Sequence, residues 1–565
     1  MRYSKFFMPT MKEWPADADT MAMKYMLKSG MIKKVSSGLF FYMPYFNMIL
    51  RKVNYTIRRG MEKADCNEMK FPILVSKDVL EKSNRWTAFG KEMFSLVDRN
   101  GDAYAISPTN EEYATIVADN YVKSYNDLPF SIYQIQQKHR DEIRPRNGVN
   151  RAREFTMKDA YSFHANKEDL DVYYKRMREV YLEVYEKLGL KVVPVVADGG
   201  VMGGSYCHEF MAVSNEGEAD IAFCDDCGYG ANLETVPCKD KYTIDTKFKG
   251  QYKKVITPKT SSIADLMKFL GMDATRFVKS MVYNAGGQIV MALVRGDREV
   301  NETKLAKIMG TNVELATEKE IKKIGSVLGF VGPIGDLHDV RIIGDYEIKG
   351  MEKFVVGANE ADTHLIDVGA SDFKCEWQDI RFADNTDTCP VCGGKIHVCQ
   401  GNELGHIFAL GDKYTKAFNA TFVDKDGKDK IMEMGCYGMG LERIVSSIID
   451  QHHDEKGIIL PMAVAPFKVD LIVVDTKKQE QVDFAEDLYN RLENLGIPVL
   501  YDDRNERVGV KFNDYELIGV PMRIVVGRGL ANGKVELEIR ATGENKEIDI
   551  KDIESTVQNL IKTLK

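Results

Sequence analysis

The stretch KHRDEIRPRNGVNRAREFTMKD, residues 138–159, decides how the middle of this chain folds. The segment FSIYQIQQKHRDE at 130–142 alternates apolar and polar side chains, which is typical of a β-strand. The segment NRAREFTMKDAYSFH at 150–164 predicts its antiparallel partner. Because Pro145 and Gly148 are turn residues, we expect the arginine-rich part between the strands to form a loop.

The arginine-rich loop belongs to an acidic chain, whose formal net charge is -8. An acidic protein does not coat nucleic acid non-specifically, so a nucleic-acid partner must meet local basic patches. The loop alone is compatible with a solvated hairpin, a nucleic-acid site or a polyphosphate site. Two residues favour a ligand: Arg140, expected on the strand, is rigid enough for a bidentate phosphate contact, and Phe155 offers a face for stacking on a base.

The composition is that of a globular protein of several domains. The chain has 565 residues, 44% of them hydrophobic and 29% charged, which predicts three or four domains. No apolar run approaches the ~20 residues of a membrane span, and the first residues lack the apolar region of a signal peptide. Ten cysteines are too sparse for a disulfide scaffold, so we expect a cytoplasmic protein.

Changes of pattern along the chain predict four segments. Residues 228–388 look like a separate α/β unit that is inserted into another domain, because a pattern of strands followed by helices precedes it and resumes after it. From about residue 466, short apolar runs and an amphipathic helix indicate a compact α/β domain. The predicted boundaries are therefore 1–227, 228–388, 389–465 and 466–565.

A pair of cysteines stands at each border of the inserted segment. Cys224 and Cys227 form CDDC, and Cys389 and Cys392 form CPVC. Each pair has the spacing of half a zinc site, and an insertion that leaves and rejoins at adjacent strands would bring the pairs together. The alternative is that these are unliganded thiols in a reducing cell.

Several motifs resemble those of class II aminoacyl-tRNA synthetases. HRDE with REFTMKD resembles motif 2, GCYGMGLER resembles motif 3, and MEKADCNEMKFP, ending at Pro72, resembles motif 1. SPTNEE, HRDEIRPR, MKDAYSFH, GHIFALG and MGCYGMGLER together resemble the bacterial prolyl-tRNA synthetase family over essentially the whole chain. The resemblance implies an α+β multidomain protein: an antiparallel-sheet catalytic core, an inserted α/β editing domain and a C-terminal α/β anticodon-binding domain. It also implies a homodimer.

The same resemblance implies roles for the arginines. Arg140 would hold the α-phosphate of ATP and the activated carboxylate, and Arg443 would hold the γ-phosphate, so these two are the expected catalytic residues. Glu142 would contact adenine, and Phe155 would stack on it. Arg144, on the loop, would face the acceptor stem of the tRNA. Mg²⁺ would bridge the phosphates, held by few protein oxygens.

The resemblance also implies a proline pocket. Its expected residues are Thr109, Glu111, Asp159, His406, Phe408 and Cys436. A carboxylate suits the secondary ammonium group of proline, and Glu111 is the residue we expect to supply it. Taken singly, a histidine placed like His406 is more often a hydrogen-bonded core residue than a ligand contact, and Cys436 is typical of a small buried apolar residue.

The inserted segment would remove alanine that has been joined to the proline tRNA. Alanine is smaller than proline and cannot be excluded sterically, and aminoacyl-tRNA synthetases are the standard example of this problem. By resemblance the editing site contains Lys279, Gly357, Asn359 and His364. Two alternatives remain: a class II enzyme of another specificity, such as threonine, and an inactive paralogue that binds an amino acid or RNA.

Overall fold

The computed structural model describes residues 1–197, 202 and 204–564. The chain divides into two compact units: Met1–Ala219 with Gln400–Lys565, and Asp220–Cys399. The second unit therefore interrupts the first along the sequence. Within the described residues, no helix combines the length and the apolar character needed to cross a membrane.

Helices and strands alternate irregularly before the interruption. The helices are α1 (Met21–Lys28), α2 (Pro44–Lys63), α3 (Lys77–Lys82), α4 (Arg85–Phe89), α5 (Glu111–Tyr121) and α6 (Lys167–Lys187). The strands are β1 (Ile32–Ser36), β2 (Leu39–Tyr42), β3 (Asn67–Glu68), β4 (Leu74–Ser76), β5 (Ser95–Val97), β6 (Ala103–Ile106), β7 (Phe130–His139), β8 (Glu154–His164), β9 (Val192–Ala197) and β10 (Tyr206–Ser214).

The second unit is a mixed α/β structure. Its helices are α7 (Ile263–Leu270), α8 (Glu302–Met309) and α9 (Glu318–Lys323). Its first strand begins at Ala219, one residue before the unit itself. Its strands are β11 (Ala219–Phe223), β12 (Gly230–Asn232), β13 (Lys253–Ile256), β14 (Val278–Ala285), β15 (Gln288–Arg295), β16 (Glu314–Leu315), β17 (Val340–Asp345), β18 (Phe354–Gly357), β19 (Thr363–Val368) and β20 (Glu376–Gln378).

The chain returns to the first unit within a long strand. The strands that follow are β21 (His397–Gly411), β22 (Thr421–Val423), β23 (Asp429–Ile431), β24 (Glu433–Gly440), β25 (Val469–Val473), β26 (Val499–Asp502), β27 (Met522–Val526), β28 (Lys534–Ile539) and β29 (Asn545–Asp549). The helices are α10 (Lys413–Ala417), α11 (Leu441–Gln451), α12 (Gln479–Asn494), α13 (Val508–Ile518) and α14 (Ile553–Thr563).

The predicted hairpin is the centre of a large antiparallel sheet. β7 pairs with β8 along its whole length, with Gln134 opposite Asp159, which confirms the predicted strands and their loop. β8 pairs on its other side with β24, β24 with β21, β21 with β10, and β10 with β9, all antiparallel. β3 adds to β7 in parallel. This sheet gives the first unit the antiparallel core expected of a class II synthetase.

Helices α2, α6 and α11 carry the apolar side chains that cover one face of this sheet. In α2 the buried residues Ile49, Val53, Ile57 and Met61 recur every four positions, so they form one stripe facing the core. Each contributes about 1.5–3 kcal/mol by leaving water. Gly60 allows close helix packing, because a Cβ there would lie 2.5 Å from Cγ2 of Val184 in α6.

The predicted secondary structure is also confirmed in the other parts of the chain. The segments SSIADLMKFLGM at 261–272 and NETKLAKIMG at 301–310 predict helices, which are α7 and α8. The segment KSMVYNAGGQIVMALVRGD at 279–297 predicts a hairpin, which is β14–β15, extended by β16 on one side and by β17 and β20 on the other. β13, β19 and β18 form a separate sheet. In the C-terminal domain the strand order is β26-β25-β27-β28-β29, parallel among the first three strands and antiparallel afterwards.

Candidate active site

The face of the central sheet opposite α2, α6 and α11 forms the floor of a cavity of about 300 Å³. Most of the predicted ATP and proline residues line it: Thr109, Glu111, Arg140, Phe155, Asp159, His406, Phe408, Cys436 and Arg443. The strand period explains much of this grouping. Phe155 and Asp159 lie four residues apart on β8 and therefore share a face, as do His406 and Phe408 on β21. The register sets Phe408 of β21 beside Cys436 of β24.

One end of the cavity is acidic. Glu111 is fully buried, and its carboxylate accepts hydrogen bonds from Oγ1 of Thr109 at 2.7 and 2.8 Å and from Sγ of Cys436 at 3.1 Å. Oδ2 of Asp159 accepts from the Tyr161 hydroxyl at 2.7 Å and from Gln134 at 2.9 Å. Oδ1 of Asp159 is buried without a hydrogen-bond partner in the described structure. A buried acceptor of this kind suits a ligand that brings its own N–H groups.

The electrostatics of this end depend on a neighbouring cation. Burial by itself would raise the pKa of Glu111, but the guanidinium of Arg85, in contact with its carboxylate, holds that pKa below its usual value. Glu111 is therefore ionised at neutral pH. An ionised carboxylate at the closed end of a cavity favours a cationic group of the ligand.

The segment TNEEYATIVADNY, residues 109–121, predicts a helix capped by Thr109 or Asn110, but neither side chain caps α5. Asn110 is the residue before the helix, but its side chain accepts no hydrogen bond from the helix backbone. Its Oδ1 instead accepts from Ser107 at 2.9 Å, from Gln134 at 2.8 Å and from the Lys138 ammonium. Thr109 is bound to Glu111. The capping prediction was wrong because the pocket network takes both side chains.

The other end of the cavity is basic. Arg140 is half-buried, and its guanidinium lies over the Phe155 ring, 5.2 Å from the ring centre. Burial and the nearby charge of Arg443 lower the pKa of Arg140. Arg443 is fixed by its Nε, which donates to the Asn150 carbonyl at 2.6 Å, and by its Nη1, which lies 3.0 Å from Oε2 of Glu403. Two guanidinium groups at one end favour an anionic part of a ligand.

Arg140 itself departs slightly from the expectation of a strand residue. β7 ends at His139, one residue earlier. The backbone N–H of Arg140 still donates to the Arg153 carbonyl at 3.0 Å, so the position stays fixed although it lies beyond the strand. The reason is that Asp141 turns away and donates its N–H to the Glu92 carbonyl at 2.9 Å.

Between the two ends lies a cluster of ionisable groups that the sequence did not predict as a set. Nδ1 of His406 lies 3.4 Å from Glu403 and 3.7 Å from Glu209. Burial opposes protonation, but the hydrogen bonds to Cys207 and Glu403 raise the pKa of His406 to about 9. Its ring stacks on Phe408 with 3.9 Å between the ring centres. His406 is therefore protonated at neutral pH and places a positive charge in the lining of the cavity.

Glu142 and Arg144 lie outside this cavity. They line an adjoining groove of about 470 Å³, which Arg140 shares. Oε2 of Glu142 accepts a hydrogen bond from Nε of Arg151 at 2.8 Å. Arg144 is exposed on the loop. The structure thus separates Arg144, at the surface, from Arg140, which reaches into the cavity.

The second unit has a cavity of its own, of about 400 Å³, lined by Lys279, Gly357 and His364. Nζ of Lys279 lies 2.6 Å from Glu299. His364 is buried, which lowers its pKa to about 4, and its Nδ1 lies 2.6 Å from Oγ1 of Thr257. The imidazole is therefore neutral, and the cavity has the ammonium group of Lys279 at one position and an uncharged ring at another.

Gly357 and Asn359 shape this second cavity in different ways. A Cβ on Gly357 would lie 2.2 Å from the Phe330 carbonyl oxygen, so a glycine is required where the two chain segments touch. Asn359 does not contribute to the lining. Its amide donates to the carbonyls of Gly332 at 3.0 Å and Ile334 at 2.9 Å, so it holds the neighbouring loop in place.

The two cysteine pairs come together in the second unit. Sγ of Cys224 lies 3.6 Å from Sγ of Cys392, and Sγ of Cys227 lies 3.6 Å from Sγ of Cys389. The four sulfur atoms all lie within 4.8 Å of one another. Four convergent thiols are a donor set typical of structural zinc. The compact unit includes both pairs, whereas the predicted inserted segment stops short of them.

Sequence reasoning did not identify the groups behind the predicted site residues. Arg85, Gln134, Lys138 and Tyr161 support Glu111 and Asp159, and Glu209 joins the cluster at His406. Lys138 lies on β7 and Tyr161 on β8, both in strands that the sequence predicts. Tyr161 follows Asp159 by two residues and so shares its face of the sheet, which is a signal that the sequence contains. Arg85 lies far from Glu111 in sequence, and no local pattern points to it.

Comparison with known proteins places the chain in a family. A model described as "tRNA synthetase class II core domain (G, H, P, S and T)" matches residues 93–452, and one described as "Anticodon binding domain" matches residues 468–560. The proline–tRNA ligase of Caldicellulosiruptor saccharolyticus is 46% identical over 99% of this chain and 98% of its own length. That of Thermoanaerobacter sp. is 45% identical over 100% of both.

A solved structure shares the fold at lower identity. Prolyl-tRNA synthetase from Cryptosporidium parvum, in complex with L-proline and AMP, matches 96% of this chain and 75% of its own chain. The TM-score is 0.58 and the sequence identity 18%. At this identity the likeness concerns the fold.

Proposed function

Because this chain belongs to the proline–tRNA ligase family, we propose that it joins proline to its tRNA at the expense of ATP, in the cavity of the first unit. The observation that carries the proposal is the polarity of that cavity. Carboxylates of Glu111 and Asp159 stand at one end, and the guanidinium groups of Arg140 and Arg443 stand at the other. This order matches a ligand with a cationic amine at one end and phosphates at the other.

Proline would occupy the acidic end. Its secondary ammonium group has two N–H bonds, and Glu111 and the unpartnered Oδ1 of Asp159 are the acceptors available for them. The stacked rings of His406 and Phe408 and the thiol of Cys436 would line the pyrrolidine ring. This arrangement would turn the proline carboxylate toward the arginines.

ATP would occupy the basic end. Phe155 would stack on its adenine ring, Glu142 would contact the edge of that ring, and Arg443 would hold the γ-phosphate. A proline carboxylate oxygen forms a bond to the α-phosphorus, and the bond to the β-phosphate oxygen breaks, releasing pyrophosphate. A ribose hydroxyl of the tRNA then attacks the prolyl carbonyl, and AMP leaves. Arg140 stabilises the charge on the α-phosphate, so positioning and charge neutralisation supply most of the catalysis.

The residues beside Arg443 fit a magnesium ion. Glu403 and Glu209, in the cluster between the two ends of the cavity, offer carboxylate oxygens, which Mg²⁺ prefers, within 4.8 Å of each other. These two carboxylates would hold the ion, which neutralises charge on the phosphates when bound. Arg443 pairs with Glu403, so the same carboxylate orients the arginine for ATP.

The tRNA would contact two other surfaces. Arg144, exposed beside the cavity, would face the acceptor stem, and the domain of residues 466–565 would bind the anticodon. We further propose that the protein is cytoplasmic and acts as a homodimer, with the motif around Pro72 at the dimer interface.

We propose that the second unit, with the segment 228–388 as its centre, hydrolyses alanyl-tRNA. The separate cavity supports this proposal, because its Lys279 ammonium is available for a phosphate of the terminal nucleotide. The pair with exposed Glu299 costs little to break. Water attacks the ester carbonyl and the bond to the ribose oxygen breaks, which releases alanine. Neutral His364 would orient the substrate, and Asn359 and Gly357 would keep the wall in place.

We also propose that Cys224, Cys227, Cys389 and Cys392 hold a structural zinc ion. Tetrahedral coordination at about 2.3 Å per Zn–S bond places the sulfur atoms roughly 3.8 Å apart. The observed 3.6 Å separations fit this geometry. The ion would tie the start of the second unit to its end and so stabilise that unit.

Exchange of pyrophosphate into ATP, dependent on the amino acid, tests the central proposal. Proline should support exchange, whereas threonine should not and alanine should do so weakly. Exchange with threonine in preference to proline would indicate another specificity. Binding of proline without exchange would indicate a paralogue that has lost catalysis.

A further inference from the structure

Arg85 lies directly behind the carboxylate that faces the cavity. It begins the short helix α4 and is 1% exposed. Its Nη1 donates to Glu111 at 2.5 Å and to Glu112 at 3.2 Å. Its guanidinium also lies over the rings of Phe89 and Tyr414, 4.6 and 5.4 Å from their centres. A buried arginine enclosed by two rings and two carboxylates has little freedom to move.

The two carboxylates differ in what else they contact. Glu111 lines the cavity, with Thr109 and Cys436 as its other donors. Glu112 faces away from the cavity lining and accepts from the Ser83 hydroxyl at 2.5 Å. Arg85 is therefore shared between a carboxylate that a ligand can reach and one that belongs to the protein interior.

Burial of Glu111 has a cost that Arg85 offsets. A carboxylate removed from water takes up a proton unless a cation and hydrogen bonds compensate for the lost solvation. A protonated Glu111 would donate a hydrogen bond, and it could no longer attract an ammonium group. The hydroxyl of Thr109 and the thiol of Cys436 supply hydrogen bonds, but Arg85 supplies the charge.

We propose that Arg85 is a positioning residue for the amino acid substrate, which keeps the Glu111 carboxylate turned into the cavity as the acceptor for the substrate amine. The inference rests on the proposed proline site. Arg85 does not line the cavity and would not touch proline, so its effect passes entirely through Glu111. Its removal should therefore affect proline and leave ATP binding almost unchanged.

Several charged groups surround Glu111 and contribute to its titration. The cations are Arg85, Lys413 of α10 and Arg140; the acids and weak acids are Glu112, Asp159, Cys436, Tyr161 and Tyr414. Burial, together with the adjacent Glu111, raises the pKa of Glu112 even though Arg85 opposes this. Arg85 is the cation in contact with Glu111, so its charge dominates.

The sign of the pH effect follows. The pKa of Glu111 is depressed, so binding of the amine is present above that pKa and is lost as the pH falls through it. Without Arg85 the pKa rises, and binding is lost at a higher pH. Neutralising Glu112 acts in the opposite direction, because Arg85 then pairs with Glu111 alone.

The test uses the full-length protein and proline-dependent pyrophosphate exchange across pH. Arg85→Met alone would leave two uncompensated buried carboxylates, so we combine it with Glu112→Gln. Loss of one charged hydrogen bond predicts a rise of about 10- to 100-fold in the KM for proline. We expect the KM for ATP to change little and the acid limb of kcat/KM to move to higher pH. Arg85→Lys should restore part of the proline affinity.

Two further variants separate a specific effect from general damage. Glu112→Gln alone should move the acid limb to lower pH, and Lys82→Met, at an exposed lysine on neighbouring α3, should leave both KM values unchanged. A wild-type KM for proline and an unmoved acid limb in the Arg85 variants would overturn the inference. If they fail to fold, an unmoved acid limb in Glu112→Gln has the same meaning. Absence of proline-dependent exchange in the wild type would overturn the proposed function instead.

Discussion

Replacing Arg140 by alanine tests whether the basic end of the cavity holds ATP. In the described part of the chain Arg140 is in no ion pair, and its Nε is buried without a hydrogen-bond partner. Its guanidinium lies over the Phe155 ring. The substitution should therefore cost the fold little, while it removes a guanidinium group that has its donors free for a phosphate.

The size of the effect follows from the contacts that a guanidinium makes with phosphate. Two charge-assisted hydrogen bonds contribute about 1.5–3 kcal/mol each. Their loss in the transition state would raise the barrier by about 3–6 kcal/mol, which lowers the rate roughly 10²- to 10⁴-fold. Arg443 remains in place in this variant, because Asn150 and Glu403 hold it independently of Arg140.

The measurement is proline-dependent pyrophosphate exchange at saturating substrates, together with the melting temperature. Arg144→Ala is the matched control, because it removes an arginine from the same loop at an exposed position. We expect Arg140→Ala to lose exchange with little change in melting, and Arg144→Ala to keep both. Exchange within about threefold of wild type in Arg140→Ala would refute the reasoning, because one lost charged hydrogen bond already predicts more.

The remaining predictions concern the other proposed sites. Arg144→Ala should slow transfer of proline to tRNA while adenylate formation stays intact; equal loss in both assays would contradict its placement on the RNA. Purified protein should contain about one zinc per chain, and a strong chelator or Cys389→Ser should lower the melting temperature, whereas metal-free protein with unchanged melting would eliminate the zinc site. Lys279→Ala should lose hydrolysis of alanyl-tRNA and keep prolyl-tRNA synthesis, and His364→Ala should weaken or broaden that hydrolysis; deacylation at the wild-type rate in Lys279→Ala would contradict the editing proposal.

Local patterns predicted the elements that build the site. Alternating apolar and polar residues and the turn residues indicated β7, β8 and the loop between them. Successive side chains of a strand point to opposite faces of the sheet, so two faces in different surroundings produce an alternating sequence. Helical spacing indicated α7, α8 and α12. The expectation that Asn110 caps α5 was wrong, because capping propensity is local and the pocket network competes for the same oxygen.

The sequence by itself determined the fold class, the family and the residues that stand within motifs, because these features depend on spacing along the chain. Only the tertiary structure decided which groups share a cavity and with what charge. Arg85 reaches Glu111 from another helix, Glu209 of β10 lies opposite His406 of the paired strand β21, and the cysteine pairs at both ends of the insertion converge. The physical reason is that electrostatic interactions depend on distance and burial, and packing brings together charges that sequence separation keeps apart.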